Sequence, residues 1–289
     1  MPALALTIQV LLFLAAGSSS QPASQPATRP ASAPAEVSLL TDAAARAWRA
    51  RLGESFIVLA EPPFVVAGNL PAEQIRTYAE ASVLRPVRAM QAGYFAAPPD
   101  KVITVLLFKD EATYRDSAAR LLGDAEVPHF GYYRHADRTL VMNIATGTGT
   151  LVHELTHALI AFDWPAVPLW FNEGLASLHE QCQVRPEELI GLPNWRLPAL
   201  QEAIRQGRLG SLAELVAADF YGADRGLNYA QARYFCQYLQ HRGLLSRFYR
   251  DYRAARDAPA VQTIESVCGQ TIAEVDQDMR RWVLTLRWQ

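Results

Sequence analysis

A chain of 289 residues with half its positions apolar is long enough to bury one large core or two modest ones, which excludes a wholly disordered protein. Acidic and basic residues nearly cancel, 29 against 27. The basic ones are scattered rather than gathered into a stripe, so no nucleic-acid partner is expected, and nothing in the composition speaks to oligomeric state.

Met1 to Ala16 is almost wholly apolar, yet shorter than the roughly 18 residues that a membrane-spanning helix wants. With the small residues Ala15, Ala16, Gly17 and Ser18 behind it, the stretch reads as a signal peptide over 1–17, although it lacks a positive start. An exported protein, periplasmic or extracellular and without a stable membrane span, is the expectation. Residues 18–40 read as a disordered Pro/Ser/Ala-rich tether, in which Gln21-Pro22-Ala23-Ser24 is nearly repeated as Gln25-Pro26-Ala27-Thr28. The folded domain is expected over 41–289.

A helix is expected around Thr41 to Leu52, followed by one or two strands from Ser55 to Val66, broken at Pro62-Pro63. Helical spacing returns after Pro71, through Ile75, Tyr78, Ala79, Val83, Val87 and Met90. Val102 to Phe108 reads as a buried strand and Glu111 to Leu122 as a helix. Gly131-Tyr132-Tyr133 and Thr139 to Asn143 flank a polar turn, as a hairpin would. Leu151 to Phe162 then runs as a helix until Asp163-Trp164-Pro165, and a second helix starts near Pro168 and continues through Glu180. Beyond Pro198 helices are expected at 199–206, 212–217, 229–242, 244–255 and 272–287. The fold class is α+β: a mixed sheet with helices over about 41–162, then an all-helical part over about 163–289. Cys182, Cys236 and Cys268 are too few and too far apart for a disulfide scaffold. They read as buried thiols, although one pair could form in an oxidising compartment.

His153-Glu154-Leu155-Thr156-His157 places two histidines one helical turn apart on one face, where both imidazoles can reach a single ion. Glu154, angled off that face, is placed to meet a metal's water rather than the metal. Leu151, Val152, Leu155, Ala158, Leu159 and Ile160 make most other faces apolar, so the helix carries its polar groups inward, where unpaired they would be costly. A catalytic zinc needs a third ligand and an open position. Glu173 in Trp170-Phe171-Asn172-Glu173-Gly174 follows at a distance that suits a second helix returning alongside. The expected metal ligands are therefore His153, His157 and Glu173, the cofactor Zn²⁺, and Glu154 the general base.

These residues resemble the gluzincin clan of zinc peptidases, and particularly the bacterial peptidase-MA-like domains; aminopeptidase-N-like members share a similar Asn-Glu-Gly segment, here Asn172-Glu173-Gly174. The resemblance implies a zincin-like fold and a metallopeptidase acting on a peptide or protein substrate. It implies a catalytic tyrosine for the oxyanion as well, for which Tyr229 is the match, and a sheet edge at Thr139 to Asn143 that would take up an extended peptide. The chain departs from the clan in two places. No Gly-x-Met-Glu-Asn-like segment is present to bind a free amino terminus, and Ser177 stands where thermolysin-like members carry the aspartate that orients a histidine, so another group must make that bond. His129, His135 and His179 read as surface or satisfied histidines. A non-peptidase zinc hydrolase on the same scaffold and a non-catalytic zinc-binding module are the competing readings.

Overall fold

The computed structural model describes residues 33–96, 98–222, 224–256 and 259–288. The signal-peptide reading, 1–17, and the tether up to residue 32 lie outside them. Helix α1 spans Ala33–Leu52, so the tether ends earlier than its composition suggests and residues 33–40 are helical. Among the described residues no helix is long and apolar enough to cross a membrane.

Strands β1 (Ile57–Glu61) and β2 (Phe64–Gly68) form a hairpin. Helix α2 (Ala72–Tyr78) and α3 (Arg85–Gly93), joined by a π-helical stretch at Ala79–Leu84, lead to β3 (Ile103–Phe108). Helix α4 (Glu111–Ser117) starts on Asp110, whose side chain accepts from Thr113 N at 2.8 Å, and continues into a π-helical turn over Ala118–Leu122. Strands β4 (Gly131–Arg134) and β5 (Thr139–Asn143) complete a five-stranded mixed sheet in the order β1-β2-β3-β5-β4. Pairing is parallel between β2, β3 and β5 and antiparallel at both margins.

That order corrects one expectation. Thr139 to Asn143 is an inner strand, bonded to β3 on one side and β4 on the other, so it offers no free edge. Its five residues are all buried, as a strand covered on both faces requires.

Strand alternation divides the interior in two. Val65, Ala67, Leu106, Phe108 and Val141 face α1 and α4. Phe64, Val66, Ile103, Val105, Leu107, Leu140 and Met142 face the larger core, to which α5 (Gly149–Asp163) and α6 (Leu169–His179) belong. Nearly every residue of α6 is buried, because it lies between α5 and α9 (Arg225–His241). A helix enclosed all round tolerates an apolar sequence on all faces.

The C-terminal part is helical apart from one hairpin, β6 (Cys182–Val184) with β7 (Leu189–Gly191). Three-residue strands are too short to leave an alternating pattern, so the expectation of an all-helical part is corrected here. Helices α7 (Leu197–Arg205), α8 (Leu212–Ala217), α10 (Leu245–Ala255), α11 (Ala260–Cys268) and α12 (Ile272–Thr285) complete the chain. All three cysteines are free thiols, Cys236 and Cys268 buried and Cys182 partly so.

Candidate metal centre

Helix α5 presents His153 and His157 one turn apart, and α6 runs back beside it with Glu173 in its second turn. The short connection after Asp163 reverses the chain, and Pro168 starts the new helix by accepting from Phe171 N and Asn172 N, each at 3.0 Å. The two imidazole Nε2 atoms lie 3.0 Å apart, and each is 3.6 Å from Glu173 Oε2. Of the groups among the described residues that could hold an ion, this is the one found.

Each ligand candidate is held from behind. His157 Nδ1 lies 2.9 Å from Asn172 Oδ1; an amide oxygen only accepts, so Nδ1 carries a proton, and the neutral ring presents its Nε2 lone pair inward. His153 Nδ1 is 3.0 Å from Glu180 Oε1, an ion-pair contact set off the line of a straight hydrogen bond. Glu180 is gripped in turn by the Arg196 guanidinium. On Glu173, Oε1 accepts from the Tyr221 hydroxyl at 2.9 Å, while Oε2 is buried with no hydrogen-bond partner.

The orphaned oxygen tests whether a metal fits. Two lone-pair nitrogens and a carboxylate oxygen converge within ligand reach of one another, and a buried carboxylate oxygen without a donor is costly unless a cation faces it. Two neutral imidazoles and one carboxylate are a donor set suited to zinc, with three protein ligands as in catalytic rather than closed structural sites. The residues fit the ion.

Electrostatics point the same way. Burial works against a charged His153, but the Glu173 and Glu180 carboxylates outweigh it and push its pKa up to about 10. His157 is raised as well, Glu173 overcoming the effect of burial. Burial would raise Glu173 and Glu180, yet the imidazoles hold Glu173 well below the usual carboxylate range, and His153 and Arg196 hold Glu180 low. In the absence of a metal, the cluster therefore seeks positive charge as protons. Glu154 behaves differently: desolvation pushes its carboxyl up, Glu173 and Glu180 add to the shift, and the two imidazoles counter part of it.

Three of the five expected site residues are thus brought together, His153, His157 and Glu173, while Glu154 follows His153 on α5, where its carboxyl feels the charges of His153, His157, Glu173 and Glu180. Tyr229 is buried one step further out. Its ring lies 6.5 Å from that of Tyr221, and the hydroxyl that reaches Glu173 belongs to Tyr221. Of the histidines kept out of the site, His129 pairs with Glu111 at 3.2 Å. His179 is buried, with Nδ1 3.0 Å from Thr156 Oγ1. His135 packs against the Tyr133 ring.

Four contributors were not assigned roles from the sequence: Asn172, Glu180, Arg196 and Tyr221. Glu180 answers the absence of an acid at Ser177. It follows Glu173 by two helical turns and so falls on the same face, a signal that the spacing does contain. Arg196 and Tyr221 arrive from loops remote in sequence, and no local pattern points to them. No family model matches the chain, and no curated protein matches it.

Proposed function

We propose that the protein is an exported zinc-dependent peptidase in which His153, His157 and Glu173 hold the ion. The observation that carries this is the buried, unpartnered Glu173 Oε2 facing two imidazole Nε2 atoms whose Nδ1 positions are turned toward Asn172 and Glu180. Bound zinc would supply Lewis-acid chemistry, polarising a carbonyl and making water a usable nucleophile near neutral pH. The chain's own part is orientation and proton transfer. Asn172 and Glu180 fix the imidazoles, and Tyr221 fixes the carboxylate. Glu154, with its carboxyl raised by burial, is suited to take a proton from the attacking water and deliver it to the departing amine.

A structural zinc site has no use for such a group beside it, which favours catalysis over a purely architectural metal. Peptide bonds rather than other amides are proposed from the resemblance of the His153–Ser177 segment, and export from the apolar stretch before Gly17. The test joins metal analysis to an unbiased peptide-cleavage profile on wild type and Glu154→Gln. Zinc bound in both, with the variant slower by on the order of 10²-fold or more, is the expected result. Equal turnover in the zinc-loaded variant removes Glu154 from its role, and a zinc-loaded wild type that cuts no peptide removes the peptidase assignment.

A further inference from the structure

Two charges behind His153 stand at helix ends where the backbone works against them. Glu180 caps the C-terminus of α6, where unpaired carbonyls already present negative charge. Arg196 caps the N-terminus of α7 without bonding that helix through its side chain, and unpaired N–H groups there present positive charge. Helix stability would be served by the opposite signs at both places. Burial adds to the cost, since the Arg196 and Glu180 side chains are only 20% and 12% exposed, and a buried ion pair returns little net stability over an apolar pair of similar size. The pairing calls for a reason other than keeping the chain folded.

That reason lies in the third partner. Arg196 Nη1 donates to Glu180 Oε2, and Nη2 donates to Oε1 at 3.3 Å, so a planar fork fixes the plane of the carboxylate. Oε1 is also the atom 3.0 Å from His153 Nδ1, and the orientation of that ring decides where its Nε2 lone pair points. The fork is itself anchored. Asn194 Oδ1 accepts from Arg196 N at 3.1 Å, and Tyr234 Oη on α9 accepts from Asn194 N at 3.0 Å. Arg233, fully buried on α9, donates to Leu192 O and, at 3.0 Å, to Ser177 O. One helix thus ties the loop that carries Arg196 to the last turn of the helix that carries Glu180.

We infer that Arg196 is a positioning residue of the metal centre: it sets the affinity for zinc by locking Glu180 and, through it, the His153 imidazole, with α9 as the anchor. This rests on the zinc reading above. Zinc affinity is measured by chelator competition on wild type, Arg196→Met, Arg196→Lys, Glu180→Gln, the Glu180→Gln/Arg196→Met double variant and Tyr234→Phe, with thermal unfolding of each metal-free protein alongside. Arg196→Met and Glu180→Gln are each expected to weaken zinc binding by about 10- to 100-fold. The double variant should be little worse than the poorer single one, because both act through one contact. Lysine keeps the charge but loses the fork, so Arg196→Lys recovers only part of the affinity, and Tyr234→Phe weakens binding by a smaller factor.

A merely structural role predicts lower unfolding temperatures with zinc affinity unchanged. Folded Arg196 variants that bind zinc within about twofold of wild type overturn the inference; should the methionine variant fail to fold, the lysine variant decides. A wild type that binds no zinc overturns the metal reading itself, and a wild type that binds while the variants match it overturns this inference alone.

Discussion

Gly174, directly after the proposed ligand Glu173, sits inside α6 with ordinary helical neighbours on both sides. A Cβ built on it would meet Ala232 on α9 at 2.9 Å from the carbonyl oxygen, 3.0 Å from the carbonyl carbon and 3.1 Å from Cβ. Two effects of Gly174→Ala then compete. Alanine is the better helix former by about 1 kcal/mol, while overfilling a packed contact costs about 1–3 kcal/mol, toward the upper end when the obstacle is backbone that cannot swing aside. The net expectation is destabilisation by about 1–2 kcal/mol, or roughly 2–8 °C in Tm for a domain of this size. Gly174→Val, with a poorer helix former and two further methyls, should lose about 3 kcal/mol or more. Because the displaced helix carries Glu173, zinc affinity should fall together with stability. Denaturant unfolding and chelator titration of the two variants provide the check. An alanine variant as stable as wild type, or more so, would refute the claim that helix-to-helix approach is why glycine stands here.

Tyr221→Phe removes the hydroxyl that donates to Glu173 Oε1; a loss of about tenfold in zinc affinity is expected, with stability changed by about 1 kcal/mol at most, and an unchanged zinc titration would exclude Tyr221 as a support of the ligand. Tyr229 lies behind Tyr221, the two rings 6.5 Å apart, so Tyr229→Phe should leave zinc affinity as it is and slow peptide turnover at least tenfold if its hydroxyl serves the oxyanion; normal turnover ends that role. His179 gives a pH test in metal-free protein, since burial, aided by the charges of His153 and Arg233, lowers its pKa from 6.5 to about 3. The unfolded chain then takes up a proton that the folded one refuses, so its contribution to stability is complete above pH 6.5 and shrinks as pH falls toward 3, by about 2 kcal/mol at pH 5. Unfolding scans of wild type and His179→Gln between pH 7 and 5 should differ in slope by that amount; parallel slopes would place the proton elsewhere.

The convergence of His153, His157 and Glu173 was legible because its geometry is mostly local. A four-residue spacing on an apolar helix puts His153 and His157 on one face, and the length of chain to Glu173 suits a helix end, a turn and a second helix returning alongside. Strands β1, β2 and β3 announced themselves through β-branched runs, although alternation could not reveal which strand would lie at the sheet margin. Strand order depends on contacts between segments, and there the placement of Thr139 to Asn143 at an edge failed. The π-helical stretches at Ala79–Leu84 and Ala118–Leu122 also escaped, because one extra residue in a turn barely disturbs a helical apolar pattern. Helix α11 had signals at both ends, Pro259 before it and Gly269 with φ 68° after it, and could have been read. Glu180 was visible as a residue two turns along the face of Glu173, but its meaning depended on Arg196, which the β6–β7 hairpin and the following loop bring back to it.

Charge balance explains why these particular residues tolerate one another. Glu173 is a buried carboxylate and Glu180 a largely buried one, and Arg196 offsets only the second of them. The two imidazoles, neutral in their preferred tautomers, offset nothing. A protein without a metal must fill the deficit with protons on the imidazoles, which is what a His153 pKa near 10 expresses. A divalent cation in the same place would answer Glu173 Oε2 and both imidazoles together and would displace those protons, sparing the fold the choice between an unpaired carboxylate and a doubly charged histidine pair. The polar interior of α5 and α6 is thus a cost in an apolar two-helix contact that a bound ion would turn into an asset. That is the physical reason for treating the three ligands, Glu180 and Arg196 as one unit.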